Sequence, residues 1–261
     1  MIGCKVYHTS ICQQSSMDWA KEKLSEAPDG ALFLADFYET ARGRQGRIWE
    51  LYQGQLILTF ILKPVFELSD DMTTPLNYLN MALTVGVAQV LDKFGVVVKW
   101  PNDFVAAFAN SMAGRAGKKI GGILLEAVWH GDKLCGVIVG LAINVNNTFE
   151  KGDKLFTIAT SLKRVSGKQV SLELLQEQII SSLNKWYNLF KQQNFEEIYN
   201  AWRQRQVCLG QEMTVHRKDG TQVSGVAKDV CVNGDLVLLS PDQHEQMISF
   251  SVVESVLIDF K

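Results

Sequence analysis

Three arginines and two glycines crowd into Arg42-Gly43-Arg44-Gln45-Gly46-Arg47, between two apolar runs. Arginine offers a planar fork of donors that stays protonated at any working pH, and glycine lets backbone N–H groups approach where a Cβ would block them. Together they make an anion cradle suited to phosphate, or, more plainly, a solvated basic turn. Like charges and glycines also predict a stretch that stays loose until an anion arrives. A second group, Lys99-Trp100-Pro101-Asn102-Asp103, puts a lysine, an amide and a carboxylate just past an apolar run. These types could serve phosphate oxygens, a base or sugar edge and a divalent ion; Trp-Pro and Asn-Asp are also ordinary turn formers.

Other chemistries lack their signatures. His8, His130, His216 and His244 stand apart from one another and from cysteine, so no local metal site is written in the chain. G-x-S-x-G, G-x-x-x-x-G-K-[ST] and G-x-G-x-x-G are all absent. Any phosphate handled here is handled without a Walker loop.

Around these groups the hydrophobic pattern lays out the elements that must position them. Asp18 to Ser25 reads as a helix, Ala31 to Ala35 and Gln55 to Leu62 as strands, and the arginine-glycine stretch joins those two strands. Thr73-Thr74-Pro75 opens a helix through Leu76, Leu79, Leu83, Val87, Leu91 and Phe94, and Gly95 stops it. Val96 to Trp100 is a strand broken at Pro101, Ala109 to Lys118 a flexible loop, and Lys119 to Trp129 pairs antiparallel with Leu134 to Val145 across a His130 to Lys133 turn. Val170 to Lys191 and Phe195 to Gln204 are amphipathic helices. After Val207 short strands take over, around turns at Lys218 to Thr221 and Asn233-Gly234. The expectation is an α/β (α+β) protein with a mixed, largely antiparallel sheet flanked by helices, residues 1–207, and a small β-barrel domain, residues 208–261.

The bulk properties are those of an ordinary globular protein. With 261 residues, 47% of them hydrophobic, the chain can bury a sizeable core. Twenty-six basic against 28 acidic residues give a formal charge of −2, so no overall cationic surface favours nucleic acid or anionic membrane. Five scattered cysteines without a C-x-x-C pair fit reduced thiols. The lack of a secretory h-region or an apolar span leads to the expectation of a cytoplasmic protein.

Four segments in order carry a resemblance: Arg42 to Trp49, Lys99 to Asp103, Lys119-Ile120-Gly121-Gly122-Ile123-Leu124-Leu125-Glu126 and Gly140-Leu141-Ala142-Ile143-Asn144-Val145-Asn146. They resemble the successive motifs of biotin–protein ligases, and Ala159-Thr160-Ser161-Leu162 is similar to a further segment of that family. The resemblance covers nearly the whole chain and implies that the terminal region is the family's SH3-like barrel. It implies a two-step reaction in which biotin and ATP, with Mg2+, form biotinyl-5′-AMP, and the acyl group passes to a lysine of a biotin carboxyl carrier protein, such as that of acetyl-CoA carboxylase. Biotin's carboxylate is already ionised near neutral pH, so the first step needs two anions held together rather than a general base.

Position by position, the resemblance implies that Arg42, Arg44 and Arg47 close over biotin and phosphate, with Lys119 central, near carboxylate and α-phosphate. Arg44 and Arg47 join Lys119 as the catalytic group. Lys99 serves phosphates, Asp103 the magnesium, and Asn102 and Asn144 the nucleotide. Trp49 covers the adenylate or anchors the core. Gly121, Gly122 and Gly140 let backbone approach the biotin ring. Ser15 and Ser16 touch biotin or cap the helix that follows. Lys119 is preferred over Lys118 for its spacing to Gly122. This sequence departs from the family at Tyr38, commonly glutamine, Ala41 and Ala142, commonly glycine, and Met17, commonly asparagine, so the biotin pocket, Tyr38 included, is where a difference is expected. Some relatives carry a DNA-binding helix-turn-helix; Ser15 comes so early that a ligase without repressor function is expected. A homodimer stays open. The rivals are a lipoate–protein ligase and a non-catalytic biotin- or nucleotide-binding module.

Overall fold

The computed structural model describes residues 1–65, 73–107 and 117–259. In chain order the main elements are β1 (Val6–Cys12), α1 (Ser16–Glu22), β2 (Leu32–Tyr38), β3 (Gln55–Leu62), α2 (Thr73–Leu91), β4 (Val96–Lys99), β5 (Asp103–Ala106), β6 (Lys119–His130), β7 (Lys133–Asn144), α3 (Leu162–Ser166), α4 (Leu172–Lys191), α5 (Phe195–Arg203) and then five strands, β8 (Glu212–Arg217), β9 (Gln222–Val230), β10 (Leu236–Leu239), β11 (Glu245–Ile248) and β12 (Val253–Asp259).

The first seven strands form one sheet in the order β1-β2-β3-β7-β6-β5-β4. Only β1 and β2 run parallel; every other neighbouring pair is antiparallel. The expected mixed, largely antiparallel sheet is therefore present, with the β6–β7 hairpin at its centre. The apolar runs make strands here because each is buried on both faces. Leu56, Leu58, Phe60 and Leu62 of β3 and Val137, Val139, Leu141 and Ile143 of β7 join the main core under α2 and α4. Residues between them turn the other way, where Ile61 and Ile138 pack with Met17, Ala20 and Leu24 of the α1 region. Gly86 lets α2 and α4 close together, since a Cβ there would stand 3.3 Å from Leu183 Cα.

Five elements differ from the sequence expectation. β1 mixes apolar and polar residues without alternation on a sheet edge and carries little burial signal. β5 is only four residues long, and α3 only five. α1 begins at Ser16 rather than Asp18. α2 starts at Thr73, ahead of Pro75, and continues as a 3₁₀ turn to a left-handed Gly95. The loop expected over 109–118 lies outside the described residues except for Gly117 and Lys118.

The terminal strands form a five-stranded antiparallel sheet, β11-β10-β9-β8-β12. Both expected turns are there, at Gly220 and Gly234 with positive φ. The expected SH3-like barrel is not confirmed: among the described residues β11 and β12 are the two edges of this sheet and do not pair. This sheet is docked rather than tethered. Trp100 Nε1 donates to the Gly234 carbonyl at 2.9 Å, Tyr199 Oη to the Val230 carbonyl at 2.7 Å, and Arg203 pairs with Asp229 at 2.6 Å. Met213, Val215, Leu236 and Val256 belong to the same continuous core as α2 and β3.

Candidate functional site

A cavity of about 670 Å³ opens between the α1 side of the large sheet, the Arg42 to Trp49 loop and strand β12. Strand alternation selects its lining. Thr59 of β3, Gly140, Ala142 and Asn144 of β7, and Gly122 and Leu124 of β6 face it, while their odd or even neighbours face the core. The β5–β6 register shifts between Phe104 and Val105, which places both Ile120 and Gly121 on the core side and returns Lys119 to the cavity side. Gly121 consequently does not line the cavity. A Cβ on it would meet the Ala142 carbonyl at 2.5 Å, so its requirement is close strand packing, not a ligand.

Lys119 lies at the centre. Its Nζ is 2.7 Å from Asp103 Oδ1 and 5.8 Å from the Trp49 ring centroid. Its backbone is clamped by the Ile158 to Thr160 segment, with Lys119 N–H donating to the Ile158 carbonyl at 2.8 Å and Thr160 N–H to the Lys119 carbonyl at 2.9 Å. Gly122 keeps space for the ion pair, because a Cβ there would stand 3.0 Å from Asp103 Oδ1. Lys118, by contrast, donates to the Phe156 carbonyl at 2.9 Å. The choice between the two lysines therefore rests on Lys119 alone facing Asp103.

At one end the cavity is small and mostly apolar. Met17, Ile57, Leu124 and Ala142 line it, and Ser16 Oγ shares a buried 2.7 Å hydrogen bond with Thr59 Oγ1. Ser15 occupies the α1 N-cap position and lines the cavity, yet its hydroxyl makes no capping bond; its carbonyl accepts from Asp18 and Trp19 instead. The Met17 sulfur fills the space over Gly140, where a Cβ would come within 2.6 Å of it. Tyr38 is not in the lining. Its hydroxyl accepts from Ala35 N–H at 2.9 Å and donates to the Ile57 carbonyl at 3.4 Å, and burial pushes its pKa up to about 12. The phenol fastens β2 to β3 where a glutamine was the family expectation.

The opposite end is cationic. Six cavity residues are Arg or Lys and three are Asp or Glu, so the lining favours an anion. Arg44 Nη2 donates to the Val253 carbonyl at 2.8 Å and its guanidinium lies 4.4 Å over the Phe250 ring. Arg47 donates to the Glu254 carbonyl at 3.1 Å, and Lys99 Nζ to the Val256 carbonyl at 2.6 Å. Burial lowers the pKa of both Arg44 and Lys99, with Asp103 pulling each back up. Three cations thus rest on neutral carbonyls of β12 and keep their charge unneutralised there.

Arg42 behaves differently. It forks onto both oxygens of Glu126 and reaches Asp18 at 2.8 Å, and hydrogen bonding to Glu126 raises its pKa. Its charge is spent on two carboxylates. In the structure the arginine stretch is fastened at Arg42 to β6 and α1, and at Arg44 and Arg47 to β12. Asn102, 3% exposed, donates Nδ2 to the Ile123 carbonyl and leaves a buried Oδ1 without a partner among the described residues; Trp49 Nε1 is likewise buried without one. Asp103 faces Lys119, and among the described residues no three His, Cys, Asp or Glu side chains gather to hold a metal ion.

Five features of the site carry no reading from sequence: Thr59, Gln55, Asp18, Glu126 as the partner of Arg42, and the carbonyls of β12. Thr59 sits unmarked inside an apolar run, and backbone carbonyls have no sequence signature at all. Asp18 and Glu126 become meaningful only when the fold brings them to Arg42.

Comparison with known proteins places this geometry. Residues 9–144 match the model of the Biotin/lipoate A/B protein ligase family. The chain is 30% identical over 225 residues to the bifunctional ligase/repressor BirA of Bacillus subtilis, an alignment covering 83% of this chain and 63% of that protein. It is 28% identical over 231 residues to the biotin--[acetyl-CoA-carboxylase] ligase of Paracoccus denitrificans, covering 84% of this chain and 90% of that one. The chain spans 58% of the length of the Bacillus spizizenii BirA that it also matches. In fold it is similar to the biotin protein ligase of Aquifex aeolicus in complex with biotin and ATP, with a TM-score of 0.78 at 22% identity over 98% of this chain and 100% of that one. The ordered motifs, the two-ended cavity and the family match over more than half the chain lead to one conclusion: the chain belongs to the Biotin/lipoate A/B protein ligase family.

Proposed function

We propose that this chain is an ATP-dependent biotin–protein ligase, which makes biotinyl-5′-AMP and transfers its acyl group to one lysine of a biotin carboxyl carrier protein. The observation that carries the reading is the position of Lys119, between a small apolar end and a cationic end of one cavity. A molecule with an apolar ring system and a carboxylate would lie from Ser16, Thr59 and Leu124 toward Lys119. A nucleotide would lie from Lys119 toward Arg44, Arg47 and Lys99, its base beside Asn102, Asn144 and Trp49.

In the first step a carboxylate oxygen of biotin bonds to the α-phosphorus of ATP, and the bond to the bridging oxygen breaks so that pyrophosphate leaves with the electron pair. Lys119 neutralises both anions at their meeting point; Arg44, Arg47 and Lys99 draw the departing charge. In the second step the carrier's lysine nitrogen, as free amine, bonds to the acyl carbon, the acyl–oxygen bond breaks, AMP leaves with the electron pair, and the nitrogen gives up one proton to solvent. Mg2+ would enter with the triphosphate. Asp103, which lines the cavity beside Lys119, is the carboxylate that would meet it there.

Pyrophosphate release that requires both ATP and biotin, followed by biotin incorporation into a carrier domain, is the expected result. Incorporation of lipoate in place of biotin would overturn the substrate assignment. Binding of both ligands at full occupancy with no pyrophosphate would leave a binding module instead.

A further inference from the structure

The proposed nucleotide end contains a run of amides whose orientations are forced from the backbone. Gln55 opens β3 and lies directly across from Asn144 on β7. Its Oε1 accepts from Tyr52 N–H at 2.9 Å, and its Nε2 donates to the Glu50 carbonyl at 3.0 Å. A backbone N–H can only donate and a carbonyl can only accept, so the Gln55 amide cannot be turned over without opposing two donors at one end and two acceptors at the other. The second N–H of Nε2 goes to Asn144 Oδ1 at 2.8 Å, and Asn147 Nδ2 adds a further donor to the same oxygen at 3.2 Å. Both hydrogens of Gln55 are spent, leaving it no donor for a ligand.

The order of bonds determines what Asn144 can offer. Asn144 is 3% exposed and lines the cavity. With its oxygen occupied twice, its Nδ2 donors have no protein acceptor among the described residues. We propose that Gln55 is a positioning residue for nucleotide recognition: it holds the Asn144 amide so that an N–H pair, not a carbonyl oxygen, meets an acceptor on the nucleotide. The inference rests on the ATP reading above and deepens it. Asn102 lines the same cavity and has an Oδ1 buried without a partner among the described residues, an acceptor where Asn144 offers a donor.

Gln55→Glu keeps the shape and removes the donors. One carboxylate oxygen still accepts from Tyr52; the other opposes the Glu50 carbonyl and Asn144 Oδ1, so Asn144 must turn and present its oxygen to the cavity. Calorimetric titration with α,β-methylene ATP should show a loss of roughly 10- to 100-fold in Q55E, with biotin affinity within about twofold of wild type. N144A should lose a similar factor, and Q55E should cost nothing more in an N144A background, because Gln55 acts through Asn144. Gln55→Met, which removes the donors without adding an opposing acceptor, should lose less than Q55E. Wild-type nucleotide affinity in Q55E, additive losses in the double variant, or a larger loss in Q55M than in Q55E would each overturn the proposal. A wild-type protein that binds biotin but no α,β-methylene ATP would overturn the ATP reading together with it, an outcome distinct from a failure confined to Gln55.

Discussion

Arg42 and Arg44 are two residues apart in sequence and differ completely in what they hold. Arg42 meets the carboxylates of Glu126 and Asp18, and its charge is cancelled on the spot. Arg44, with Arg47 and Lys99, meets backbone carbonyls, three of them on β12, and Arg44 also the Phe250 ring. A carbonyl satisfies N–H donors without removing the positive charge, so a phosphate still gains by approaching these cations, whereas an anion approaching Arg42 would have to displace two partners already ionised. Within a single basic motif one arginine is structural and two remain available for an anionic ligand. Composition alone does not separate them.

The sharpest way to break this division is at the centre. Lys119→Ala should reduce biotin- and ATP-dependent pyrophosphate release on the order of 10³-fold, since it removes charge stabilisation from the reacting groups, with a stability loss of about 1 kcal/mol or less from the single part-exposed ion pair to Asp103. Retained turnover would mean that the cations of β12, not Lys119, hold the two anions together. Next, Arg44→Met should weaken ATP binding about tenfold or more with little loss of stability. Arg42→Met should do the converse, lowering stability by about 2 kcal/mol because Glu126 and Asp18 lose their shared partner, as a half-buried ionic hydrogen-bond network does. Thermal unfolding and ATP titration of the two variants side by side would decide it; equal effects on both quantities would erase the distinction.

A pH titration sharpens the same contrast. Burial lowers the Lys99 pKa from 10.5. ATP affinity should therefore fall as the pH rises through a value below that of an ordinary lysine, and Lys99→Arg should push this alkaline limb upward. The stability effect has the opposite sign. A lysine whose folded pKa is depressed holds fewer protons folded than unfolded in that window, so stability gains from Lys99 as pH climbs toward 10.5. The smallest effect belongs to Tyr38. Tyr38→Phe strips the Ala35 N–H of its acceptor and should cost about 1 kcal/mol of stability, while biotin affinity falls less than in Ser16→Ala.

What the sequence made legible follows from how much signal each feature carries. β3 and β7 are long apolar runs buried on both faces, β6 is one half-buried beyond Ile123, and their limits are evident in the residues themselves. β1 is an edge strand of mixed polarity, and β5 is too short to show a period. For the site, the arginine stretch, Lys99 to Asp103 and Lys119 are readable because charge and glycine are unusual beside buried strands. Alternation was the missing constraint for Gly121: adjacent strand residues point to opposite faces, and the bulge opposite Phe104 and Val105 decides which of them reach the cavity. Tyr38 could not be placed from its type, since a phenol beside a pocket can line it or fasten the strands behind it. The roles of Gln55, Thr59 and β12 depend on partners far away in the chain.

That distance has a consequence for how the molecule comes to be active. Arg44 and the Val253 carbonyl on which it rests are 209 residues apart. Closing so long a loop is slow compared with forming helices or the β6–β7 hairpin, so contacts of this kind are made late in folding. The large sheet can therefore assemble while the arginines still lack their wall, and the cationic end of the cavity is among the last features the chain completes.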